Sequence, residues 1–145
     1  MKPLPHRYTA TAHAGVEGMV ELQSPGVPAL ESAAPAEYDG PGDRWSPETL
    51  LVAAVGDCFC LTFRAIARAS RLEWTDLVCE VEGKLDRVER VTRFVEMRIR
   101  ASLTLPEGAD IASGERLLAK AEAACLITNS LDLEVELVAN VKTGD

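Results

Sequence analysis

Four cysteines, Cys58, Cys60, Cys79 and Cys125, carry most of this chain's capacity for chemistry. A thiolate attacks O–O, S–S and acyl bonds, and a sulfenic acid formed on one sulfur is captured by a second thiol before it oxidises further. Zinc is a poor match. The chain has no CxxC, and its two histidines, His6 and His13, lie far from any cysteine. Structural disulfides are also disfavoured, because a reducing compartment keeps such pairs open. Two readings remain, buried structural thiols or redox chemistry. The net charge of −8 argues against a nucleic-acid surface, since phosphates would be repelled.

The elements that must position these thiols are legible in outline. The 145 residues form most simply one domain, residues 1–145, large enough for a real core. The N-terminus from Met1 to Ala14 is polar and lacks the apolar stretch of a secretory signal, so the expected location is cytoplasmic. The apolar run Leu50 to Phe63 is interrupted by Asp57 and is short for a bilayer. Tyr8 to Ala12 and Met19 to Leu22 read as a hairpin turning at Gly15 and Gly18. The Pro-, Gly- and Ala-rich Ser24 to Asp43 reads as a long surface segment with a short strand near Val27 to Leu30.

Ser46-Pro47-Glu48-Thr49 is a helix start: a capping serine, a proline suited to the first turn and a carboxylate at the positive end. The helix should run to about Ala69. Its periodicity suggests two apolar stripes, Leu51-Val55-Cys58-Thr62-Ala65 and Ala53-Gly56-Cys60-Phe63-Ala67, and a helix apolar nearly all round belongs in a protein's interior. Leu77 to Leu85 and Phe94 to Leu105 alternate as paired antiparallel strands, with Val95, Met97, Ile99, Ala101 and Leu103 on one side of the second. A second helix from about Asp110 or Ser113 to Ala124 places Leu118, Ala121 and Cys125 on one face, and Leu133 to Val141 alternates as a last strand. The order of elements predicts an α+β fold.

Each cysteine taken alone reads as core packing, because free cysteine is among the most buried residue types. Cys58 and Cys125 both sit on inward helix faces, so a folded core can bring them together, although spacing alone does not decide it. Cys60 lies about 200° round the helix from Cys58, which excludes a local bridge and leaves it as packing. Cys79 on the apolar face of its strand reads the same way. Glu48 stands nearly three turns before Cys58 and cannot touch it; it either stabilises the helix dipole or holds an arginine placed over the thiol.

Ser46-Pro47-Glu48-Thr49-Leu50-Leu51, followed by Ala53-Ala54-Val55-Gly56-Asp57-Cys58-Phe59, resembles the central helix of the OsmC/Ohr family. Ala121 to Leu131 (AEAACLITNSL) resembles that family's second cysteine helix and the polar break after it. The resemblance implies an OsmC-like fold, with antiparallel sheets wrapped around long central helices in an intertwined homodimer. It implies reduction of organic hydroperoxides, and of hydrogen peroxide less well, by a dithiol or dihydrolipoyl-type reductant, with no cofactor and no metal. Cys58 would be the attacking thiolate and Cys125 the resolving thiol.

One departure bears on that chemistry. The family's thiolate-activating arginine would fall at Val16, in Gly15-Val16-Glu17-Gly18. Arg44 or Arg7 can stand in for it, Arg44 being preferred because it lies near Glu48 in sequence. Leu126 stands where many relatives have proline. The missing arginine keeps a second reading open, a non-catalytic thiol sensor or apolar small-molecule binder on the same fold. A third is another thiol-dependent enzyme, such as a thioesterase or thiol transferase.

Overall fold

The structure is a computed structural model describing residues 1–144. Short strands β1 (Thr11–His13), β2 (Val20–Gln23) and β3 (Leu30–Ser32) precede a 3-10 turn at Ala36–Tyr38 and the long helix α1 (Pro47–Ala69). Strands β4 (Asp76–Val88) and β5 (Val91–Leu105), helices α2 (Ile111–Ala124) and α3 (Leu126–Asn129), and strand β6 (Glu134–Thr143) follow. This is a mixed α+β fold with two three-stranded sheets, one ordered β1-β2-β3 and the other β4-β5-β6. The chain forms two compact units, Met1–Leu50 and Leu51–Asp145, each holding one sheet.

In the first unit β2 pairs antiparallel with both neighbours, and the predicted short strand falls at Leu30–Ser32, slightly later than its composition suggested. Ser46 begins α1 as its sequence requires. Its Oγ accepts the Thr49 N–H at 3.1 Å, and Thr49 Oγ1 accepts the Ser46 N–H at 2.9 Å. That reciprocal pair is a capping box with threonine in place of the usual Glu or Gln.

In the second unit β4 and β5 form the expected antiparallel hairpin, extended to a two-residue turn at Glu89-Arg90, both at positive φ. Such a turn matches the right-handed twist of the strands it joins. β6 joins β5 in parallel, Ile99 opposite Leu137. Met97, Ile99, Ala101 and Leu103 are buried along one face of β5, as their shared side predicts, and Leu105 joins them. Across the register shift at Lys84/Leu85 it is Phe94, not Val95, that packs on the core. On β5's other face Arg98 reaches Glu82 and Glu136 on the flanking strands. α2 begins with the Asp110 side chain accepting the Ala112 N–H and buries Leu117, Leu118 and Ala121. Gly114 lets it lie close to the sheet: a Cβ there would stand 3.0 Å from Val141 Cγ1.

The buried ridge of α1 differs from both stripes suggested by its periodicity. It is Val55, Phe59, Phe63 and Ala67, each fully buried, with Phe63 edge-on to Trp74 at 5.5 Å between ring centres. The two largest side chains on the helix select the ridge, because burying an aromatic ring removes the most apolar area from water. Nor is the helix buried all round within the chain. Ala53, Asp57, Leu61 and Ala65 lie on its exposed side, and Leu61 keeps 52% of its surface. With 23 residues and an 18-residue stretch of mean hydropathy 1.8, α1 is long and apolar enough to cross a membrane by length and composition, its buried ridge notwithstanding.

Candidate functional site

On a helix, the neighbours of a buried residue lie about 100° to either side of it. With Phe59 at the centre of the ridge, Cys58 and Cys60 therefore sit at its two margins, both half-buried. Cys58 faces the end of α2. Its Sγ lies 3.8 Å from Thr62 Oγ1, one turn along α1, and has the fully buried thiol of Cys125 as a neighbour. The structure thus brings together the two cysteines singled out as a possible pair.

The local backbone at Cys125 supplies more than a thiol. Cys125 ends α2 and starts α3, leaving the helical region at φ −66° and ψ 109°. Its carbonyl accepts the Asn129 N–H at 3.0 Å and the Thr128 hydroxyl at 3.1 Å, which explains the polar break after the cysteine. Because the helical ladder is interrupted, the N–H groups of Leu126 and Ile127 at the start of α3 have no partner in either helix. Both act on the Cys58 sulfur. Burial raises the Cys58 pKa, but the Ile127 N–H, the Cys125 thiol, the Thr62 hydroxyl and the Leu126 N–H together outweigh it and hold the thiol below its ordinary value. The thiolate here is stabilised by uncharged donors.

A cavity of about 530 Å³ opens in front of Cys58, lined by Ala54, Asp57, Leu61, Ala65, Ile66 and Ala124 among others. Its wall is almost wholly apolar, which suits an alkyl chain better than a small polar molecule. Chemically, the arrangement offers a nucleophilic sulfur, a second thiol beside it and an apolar approach.

The remaining predicted residues belong to the first unit. Glu48 helps line a separate apolar pocket with Val20, Leu22, Tyr38 and Leu50, and its Oε1 is buried with no hydrogen-bond partner among the described residues. Arg44 does not pair with it. The Arg44 guanidinium reaches Glu31 at 3.5 Å and Asp43 at 3.3 Å on the surface. Val16 and Arg7 are exposed. Among the described residues, no group of three or more His, Cys, Asp or Glu side chains is placed to hold a metal ion.

The spacing of the cysteines gives no sign that Cys60 and Cys79 are neighbours. The sequence reading assigned both to packing, yet their thiols lie beside each other across α1 and β4. The available signal was Phe59: taking it as the ridge centre puts cysteines on both flanks.

The family model for OsmC-like proteins matches residues 40–139, which include both helix motifs. The uncharacterized protein YmaD of Bacillus subtilis is 34% identical over 115 residues, covering 76% of this chain and 77% of YmaD. An OsmC-like protein of unknown function from Vibrio cholerae superposes with a TM-score of 0.83 at 17% identity, covering 95% of this chain and 100% of that one. An organic hydroperoxide resistance protein OsmC from Legionella pneumophila, described as a predicted redox protein, gives 0.75 at 26% identity, covering 97% and 99%.

The donor set around Cys58 makes a prediction about its ionisation. The pH midpoint of Cys58 alkylation by iodoacetamide should lie below the value of about 8.5 for a free cysteine. Leu126→Pro removes one donor while suiting both the first position of α3 and the extended Cys125 before it. It should move the midpoint upward, as should Thr62→Val. An unchanged midpoint in both variants would refute the amide-donor account.

Proposed function

Since the chain belongs to the OsmC-like family, we propose that it is a cytoplasmic thiol peroxidase reducing organic hydroperoxides, and hydrogen peroxide less well. The observation that carries the reading is the proximity of the Cys58 and Cys125 thiols beside an apolar cavity. The Cys58 thiolate attacks the outer oxygen of the hydroperoxide, the O–O bond breaks, and the alkoxide leaves as an alcohol on taking a proton. The Cys125 sulfur then attacks the Cys58 sulfenic acid, expelling water and leaving a Cys58–Cys125 disulfide. A dithiol or dihydrolipoyl-type reductant restores both thiols by exchange. The apolar wall formed by Leu61, Ile66 and Leu126 favours alkyl over small hydroperoxides.

Glu48 and Arg44 are assigned a supporting part. Exposed ion pairs contribute little, so Arg44 gives up Glu31 and Asp43 at small cost, and the unpartnered Glu48 oxygen gains a donor. A second reading, a non-catalytic thiol sensor or apolar binder, draws on the uncharged character of the groups that act on Cys58. We further propose a homodimer, because α1 leaves Ala53, Leu61 and Ala65 uncovered.

Two measurements test these readings. With dithiothreitol as reductant, the wild type should consume cumene hydroperoxide faster than hydrogen peroxide. Cys58→Ser should lower that rate by ~10²-fold or more, and Glu48→Gln and Arg44→Met should lower it in part. A wild type inert to both peroxides would favour the sensor or binder. Light scattering should return twice the chain mass; a monomer at micromolar concentration would overturn the dimer.

A further inference from the structure

Cys60 and Cys79 occupy the other margin of the α1 ridge. Gly56 and Cys60 are one turn apart and share a face of the helix. β4 lies directly against that face: a Cβ on Gly56 would stand 3.2 Å from Val81 Cγ2, 3.9 Å from the Cys79 carbonyl oxygen and 4.0 Å from Cys79 Sγ. The glycine thus permits a close approach that sets the Cys79 sulfur over α1, one turn from Cys60, whose thiol it neighbours. Both cysteines are half-buried, so each is tied into the fold and still reachable from solvent.

We propose that Cys60 and Cys79 form a second redox site, a dithiol that a hydroperoxide oxidises to a disulfide joining α1 to β4. The Cys60 thiolate attacks the outer oxygen of the hydroperoxide; an S–O bond forms, the O–O bond breaks, and the alkoxide takes a proton and leaves as an alcohol. The Cys79 thiol then attacks the Cys60 sulfenic acid. The S–S bond forms, the S–O bond breaks, and the hydroxide leaves as water with the proton of Cys79. Two thiols lose two electrons and two protons, and one hydroperoxide becomes one alcohol and one water.

The ionisation of the pair matches those roles. The Cys79 thiol's hydrogen bond to the Cys60 sulfur outweighs burial and the Asp57 charge and, with Arg64 adding to it, lowers the Cys60 pKa to about 7. That same bond to Cys60, with burial and the neighbouring sulfurs Cys60 and Cys125, pushes the Cys79 pKa well up. One sulfur is therefore a ready nucleophile near neutral pH and the other keeps its proton until capture.

The full-length Cys58→Ser/Cys125→Ser variant isolates the second pair. After reduction, it is treated with one equivalent of cumene hydroperoxide, its free thiols are capped and it is digested with trypsin. The expected product is residues 45–64 disulfide-linked to residues 72–84, with both titratable thiols lost. Cys60→Ser in that background should abolish the link. Wild-type protein given excess cumene hydroperoxide, enough to oxidise the Cys58 pair as well, guards against a folding defect and should also yield a Cys60–Cys79 link, located by fragmentation. Capped Cys60 and Cys79 in both proteins, or Cys60 driven to sulfinic acid with no link, would overturn the proposal. That result would leave the Cys58 reading untouched, since the double variant lacks Cys58.

Discussion

The packing of one aromatic ridge governs the arrangement of every thiol in this protein. Val55, Phe59, Phe63 and Ala67 fix the rotation of α1 against the sheet and α2. Rotating a helix by one residue moves each side chain by about 100°, so the burial of Phe59 decides where both adjacent cysteines point. Cys58 turns to the α2–α3 junction and Cys60 turns to β4. Burial of the two phenylalanine rings is worth several kcal/mol. A change in the orientation of either cysteine works against that energy.

The same constraint separates two chemical environments less than one turn apart. Cys58 is stabilised as a thiolate by backbone N–H groups released where Cys125 breaks the helix. Cys60 is stabilised chiefly by another thiol. At Cys58 the donors are uncharged, and Leu126 contributes an N–H that a proline could not. In the first unit, Glu48 keeps a buried oxygen without a partner while Arg44 is held by surface carboxylates.

Much of the fold was legible in the residues themselves. Alternation along Met97 to Leu103 identified the core side of β5, and Ser46-Pro47 marked the start of α1, because strand period and helix capping are local signals. The parallel pairing of β6 with β5 was not legible, since strand partners depend on long-range packing. Cys58 and Cys125 were proposed from the motifs that carry them. Their proximity depends on how α2 lies against α1, and no spacing encodes that. Cys60 and Cys79 escaped for a sharper reason. On a helix apolar nearly all round, periodicity cannot choose the buried stripe, and the choice fell to the volume of Phe59 and Phe63.

The central claim is that Cys58 and Cys125 act as attacking and resolving sulfurs of one pair. The most direct measurement is capture of the Cys58 sulfenic acid with a cyclic 1,3-dione after one equivalent of cumene hydroperoxide. In Cys125→Ser the account predicts a dione adduct on Cys58. In the wild type it predicts a Cys58–Cys125 disulfide and little adduct. An equal adduct in both proteins would remove Cys125 from its role, and no adduct in either, with no disulfide formed, would remove Cys58.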